Sequence, residues 1–176
     1  MPNPLPQPID VFRSSTWGWL RGTLAGWGTL LLLVAGPIGA VYLSGQETVT
    51  IPSFLPLLLS VTALVTIALK WFANMATRYE VTPDRLILHR GIVNKSIDEI
   101  ELYRVKDVRI AFSLINQIAD IGTIGIASSD ETTRNGALEM PDIPQARARR
   151  EQLRTLVDEA RRRRGVREID LAHDEL

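Results

Sequence analysis

LAGWGTLLLLVAGPIGAVYL (residues 24–43) and IPSFLPLLLSVTALVTIAL (residues 51–69) each lack Asp, Glu, Lys, Arg and His. The 48 residues 22–69 carry one charge, Glu47, although the 176-residue chain has 20 basic and 20 acidic side chains. About 20 apolar residues in a helix cross a hydrocarbon core of about 30 Å, and each run meets that length. The connector Ser44-Gly45-Gln46-Glu47-Thr48 is short, polar and turn-forming. The stretch therefore reads as a two-span transmembrane helical hairpin, residues 17–74, and a purely soluble chain is set aside. Upstream, Met1-Pro2-Asn3-Pro4-Leu5-Pro6-Gln7-Pro8 lacks the charged start and short apolar core of a cleavable leader. Residues 1–16 read as a flexible, Pro-rich tail.

Basic residues set the expected orientation. Arg13 and Arg21 precede the first span, Lys70 and Arg78 follow the second, and the connector has none. By the positive-inside bias both ends face the cytoplasm. Trp17 and Trp19 at one end, with Lys70, Trp71 and Phe72 at the other, fit anchors at that same interface.

Without ionisable groups the spans lack the usual marks of proton relays and ion paths, so transport by this chain alone is not expected. Their specific feature is small residues four apart: Gly22 with Gly26, Ala35 with Gly39, and Gly36 with Ala40. Such spacing lets helix backbones approach closely. It serves either the hairpin packing on itself or a face for another membrane protein.

From residue 75 the pattern changes to short strands. Residues 78–82 and 85–90 face each other across Pro83-Asp84, where Pro presets the first corner of a turn. A third run covers residues 95–102, and Val108, Ile110 and Phe112 alternate with polar or small residues. Residues 113–120 suit a helical turn, 122–127 another strand, 128–136 a hairpin loop, and 137–140 a last strand. The final element is an amphipathic helix, with Asp142 as cap, Pro144 in the first turn and Gly165 at the end. Ala146, Leu153, Leu156, Val157 and Ala160 share its apolar face, and Arg147–Glu151, Arg154–Asp158, Asp158–Arg162 and Glu159–Arg163 are four-residue opposite-charge pairs. The expected plan is α+β: membrane hairpin, six or seven strands, and one covering helix. Residues 75–164 are expected to form an independent domain, followed by an acidic tail, 165–176.

Arg78-Tyr79-Glu80-Val81-Thr82-Pro83-Asp84-Arg85-Leu86-Ile87-Leu88-His89-Arg90-Gly91, then Ile100-Glu101-Leu102-Tyr103-Arg104-Val105-Lys106-Asp107-Val108-Arg109, then Gly122 and Ile124, resemble the membrane-anchored bacterial pleckstrin-homology (PH)-like family. The resemblance rests on a Tyr-x-x-Thr-x-x-Arg-Leu opening, a Gly after the second strand and a Leu-x-x-Val-x-x-Val segment. It implies a PH-like small β-barrel or sandwich capped by the C-terminal helix, behind a two-span hairpin, at the inner (cytoplasmic) membrane of a bacterium. It brings no catalytic residues. Lipid-binding PH relatives cluster Lys and Arg in the first hairpin to clamp inositol phosphates; here the turn is Thr82-Pro83-Asp84-Arg85, one Arg beside one Asp. Phosphoinositide binding there is not expected.

No catalytic, cofactor or metal site is expected. The chain has no Cys, and His89 and His173 have no evident nucleophile or metal partner. The conspicuous charge feature is the last helix: residues 143–164 hold eight Arg against Glu151, Asp158 and Glu159, net +5. Arg147, Arg150, Arg154, Arg161, Arg162, Arg163 and Arg164 read either as a solvated face favoured by the helix dipole or as contacts to an anionic partner such as lipid. A zero net charge and a helix without aromatic residues argue against nucleic acid. The leading expectation is a non-enzymatic interaction module, an accessory, assembly or scaffold subunit of a larger membrane protein complex or a homo-oligomer, with membrane lipids around it and no small-molecule substrate. The alternative is a sensor of anionic membrane lipids through the Arg-rich helix.

Overall fold

The computed structural model of the chain describes residues 7–46, 52–91, 94–129 and 137–165. Among them the elements run β1 (Asp10–Phe12), α1 (Thr16–Gly22), α2 (Leu24–Ser44), α3 (Leu57–Ala76), β2 (Arg78–Val81), β3 (Arg85–Arg90), β4 (Ser96–Glu101), β5 (Val105–Ala111), β6 (Ile121–Ser128), β7 (Leu138–Pro144) and α4 (Ala146–Arg164). The acidic tail beyond Gly165, the loop centre at 130–136 and Glu47 lie outside the described residues.

The apolar runs form α2 and α3, both long and apolar enough to span a membrane. Both helices are largely exposed, whereas the core helix of a soluble domain is mostly buried. They pack on each other where side chains are small. A Cβ on Gly36 would lie 2.1 Å from Ser60 Oγ, whose hydroxyl donates to Leu33 O at 2.7 Å, and one on Gly39 would lie 2.9 Å from Pro56. Gly36 and Gly39 thus close the hairpin on itself.

The strands form two antiparallel sheets, β1-β2-β3-β4 and β5-β6-β7. The Pro83-Asp84 corner is held by Thr82, whose Oγ1 accepts from Arg85 N at 3.1 Å and donates to Arg85 O at 2.8 Å. Alternation then points Leu86, Leu88 and Ile100 of one sheet, and Ile124, Ile126 and Met140 of the other, into one buried core. Leu153, Leu156, Val157 and Ala160 of α4 close that core, on the face expected from the sequence. Val105 and Val108 are both buried although three residues apart, which a regular strand forbids. The register of β5 on β6 shifts between Val105 and Asp107, and the extra residue restores the inward face. The result is the expected α+β sandwich with a helical cap.

Two local expectations are corrected. Asp10–Phe12 is not part of a loose tail: β1 pairs with β2, and Phe12 stacks on Tyr79 at 5.4 Å inside the core. Asp142 does not cap α4, because β7 continues through Pro144, which lies opposite Ile121. The helix instead starts after Gln145 (φ 52°), where Asp120 O accepts from Ala146 N at 3.0 Å and Asp120 Oδ1 from Arg147 N at 3.3 Å. The helical turn expected over residues 113–120 is present, Gln117 N donating to Ser113 O at 3.0 Å, with further turns through Asp120.

Candidate functional site

Helix α1 is the joint between the hairpin and the sheets, and the site is built around it. Ser15 caps it, its Oγ accepting from Gly18 N at 3.1 Å. On the hairpin side, Asn74 Nδ2 near the end of α3 donates to Thr16 Oγ1 at 2.9 Å, and Thr23 Oγ1 at the start of α2 donates to Trp19 O at 2.8 Å. On the sheet side, Ser15 N donates to Asp142 O at 2.8 Å. There Asn116, 3% exposed, donates from Nδ2 to Gly18 O at 2.8 Å and accepts on Oδ1 from Arg21 Nε at 3.2 Å. A Cβ on Gly18 would come within 2.7 Å of Ile121 Cγ2, and one on Gly22 within 2.0 Å of Asn116 Nδ2. Gly22 therefore serves this joint rather than a seam between spans, and Gly26 serves the bend into α2, its nearest neighbour being Leu20 O at 2.1 Å. Of the other small residues, Ala35 is exposed and Ala40 half-buried. Burial beside α1 pushes the Asp142 carboxyl above its ordinary range, partly offset by the charge of Lys70.

Two chambers open beside this joint and share Arg13 and Met75. One, of about 510 Å³, is walled by Trp17, Leu20, Ile67 and Trp71, with Arg13, Ser14, Thr16 and Asn74 as its polar members. The other, of about 500 Å³, is lined by Arg13, Arg78, Arg90 and Lys95 against one carboxylate, Glu80, with His89, Ser96 and Ile97 between them. Arg78 pairs with Glu80 at 2.9 Å, His89 Nε2 lies 3.5 Å from the other Glu80 oxygen, and Arg90 lies 3.7 Å from Asp98. Cations exceed carboxylates on the lining, and the apolar half is lined by two indoles. This arrangement suits an amphiphile with an anionic end. It holds no paired nucleophile and base, and the described residues include no cluster of three or more potential metal-ligating His, Asp or Glu.

The aromatic residues expected at an interface gather at this level. Trp17 and Trp71 line the apolar chamber, Phe72 stands edge-on to Trp71 at 5.0 Å, and Lys70 Nζ lies 5.7 Å from the Trp19 ring. The basic lining was missed. Its signal lay in hairpin register: counting outward from Pro83-Asp84 sets Arg78 opposite His89, and β4 then sets Ser96 opposite Arg90. Most of the α4 arginines are turned onto their own domain instead. Arg147 meets Asp120 at 3.3 Å and covers Phe112 at 4.6 Å, Arg150 meets Glu151 at 2.6 Å, and Arg161 donates to Val105 O at 2.8 Å. Arg163 donates to Pro83 O at 2.6 Å and to Asp84 at 3.0 Å, and Arg164 covers Tyr103 at 5.0 Å. Arg154 lines a small cleft with Asp107 and Asp158. Of the four expected helical pairs, Glu159–Arg163 is present, at 3.9 Å.

The sequence profile of a family described as the bacterial PH domain matches residues 28–157, from inside α2 to the buried face of α4. The chain belongs to that family. The match takes in α3, all of α2 but its first turn, and strands β2 to β7, while β1 and α1 lie before it. No curated protein and no solved structure matches the chain. In this PH domain the first-hairpin turn, where lipid-binding PH relatives gather cations, is closed by Arg163. The unbalanced positive lining lies at the opposite end of that hairpin, beside the ends of the spans.

Proposed function

We propose that the chain is a non-enzymatic, membrane-anchored PH-like interaction module: an accessory, assembly or scaffold subunit of a larger membrane complex, its PH domain on the cytoplasmic face of a bacterial inner membrane. One observation carries the reading. The first sheet joins β1, which precedes the spans, to β2, which follows them. A strand pair cannot form across a bilayer, which supports both ends of the hairpin on one side, and the basic flanks favour the cytoplasmic side. The joint at α1 then holds the PH domain in a fixed pose against the spans, as a docking platform requires.

Mild-detergent purification of the full chain tests this. A membrane protein recovered in fixed stoichiometry, and lost when exposed residues of the PH domain are changed, supports the reading. A chain that always migrates alone, or a tag at Gln46 that is reached only from the cytoplasm, overturns it. Recognition of anionic lipid is a second reading, favoured by the paired chambers rather than by α4, whose arginines largely face their own domain. Replacing Arg13 and Lys95 by Gln should then lower retention of anionic over zwitterionic lipid, and unchanged retention would remove it.

A further inference from the structure

Between β5 and β6 the chain displays Leu114 and Ile118, 89% and 92% exposed, and Ile115 is also exposed. Disorder does not explain this. The segment is held by Gln117 N donating to Ser113 O at 3.0 Å and by Ala119 N and Ile121 N donating to Asn116 O at 3.1 and 3.0 Å. Asn116, between the exposed side chains, is buried and bonded to α1. Two large aliphatic side chains presented on a fixed turn mark a surface meant for apolar surroundings.

The position of the turn says which surroundings. Ser113 and Asn116 lie 3.0 and 2.0 Å from where a Gly22 Cβ would stand, two residues before Leu24, the first residue of α2, itself 91% exposed. The displayed side chains therefore sit beside the entry of the first span. We propose that Leu114 and Ile118 insert into the same bilayer that the hairpin crosses, so that the β5–β6 turn is a third point of membrane contact and fixes which edge of the PH domain faces the lipid. The inference rests on the membrane-anchored reading.

The absence of cysteine makes the test direct. Leu114→Cys, Ile118→Cys, Leu31→Cys in α2 and Glu151→Cys on α4 are each labelled with an environment-sensitive fluorophore in the full chain. They are reconstituted in phosphatidylcholine–phosphatidylglycerol vesicles, with nitroxide on the acyl chains or iodide in the water as quencher. The expected result is blue-shifted emission at positions 114 and 118, loss of signal to the lipid nitroxide as at position 31, and protection from iodide that position 151 lacks. If positions 114 and 118 behave like 151 while 31 is quenched from the lipid, the insertion is wrong and the anchoring stands. If 31 also escapes the lipid quencher, the anchoring fails first. Iodide protection without lipid quenching, lost when the protein is diluted among vesicles, would assign the turn to a second copy and overturn the proposal.

Discussion

Asn116→Ala should loosen the joint between the PH domain and the hairpin while leaving the sandwich folded. The side chain makes two bonds to α1, one to Gly18 O in a buried setting and one from the Arg21 guanidinium. A neutral bond contributes about 1 kcal/mol net and one to a charged group about 1.5–3 kcal/mol. Their loss sums to about 2.5–4 kcal/mol against docking. At 1.4 kcal/mol per tenfold, the undocked population rises roughly 60- to 700-fold. Hydrogen exchange on the full chain in detergent reads this directly. Amides of α1 should exchange faster by that factor, and those of β6 and α4 should keep their rates. Unchanged exchange in α1 would refute the clamp. Equal acceleration in α4 would refute it differently, making Asn116 a part of the core rather than of the joint.

Leu153, 1% exposed on the buried face of α4, should cost about 2–5 kcal/mol when changed to Ala, read as a lower melting midpoint of the PH domain. Gly36→Leu places a branched chain where Ser60 Oγ already lies 2.1 Å from the Cβ position, and should separate α2 from α3, read as reduced membrane yield or faster degradation. Asp142→Asn should stabilise at neutral pH. The folded carboxyl titrates above its unfolded value, so its burial penalty is present above the folded pKa and is relieved as the pH falls through it. The gain from Asn should therefore shrink on acidification, and a gain that grows instead would reverse the assignment.

What could be read from the sequence divides along local against tertiary causes. The two long apolar helices were legible because exclusion of charge over 20 residues is a property of each segment alone. The Thr82–Arg85 corner and the apolar face of α4 were legible for the same reason, since turn chemistry and helical period are local. The β1 strand was not, because three residues have no periodicity and their place is set by pairing with β2, which follows both spans. Asp142 looked like a cap because Pro144 looked like a helix start; the ladder to Ile121 overrode both. The arginines of α4 suggested pairs along their own helix, yet Arg147 and Arg163 found carboxylates on other elements. The basic chamber draws on residue 13, one hairpin and one loop. Its parts were visible singly and their meeting was not.

The strand before the hairpin also sets an order on biosynthesis. As the chain leaves the ribosome, Asp10–Phe12 emerges first, yet its partner Arg78–Val81 does not exist until both spans have been made. The first sheet is completed only after the hairpin has been delivered. A fragment cut at residue 75 lacks Phe12 from its core and the Asp10 carboxylate that meets Arg149 at 2.8 Å. It would present β2 as a bare edge, the kind of surface that recruits foreign strands. Residues 75–164 are thus a domain with one piece missing, and a synthetic peptide covering residues 7–15, added in trans, is the reagent that should restore it.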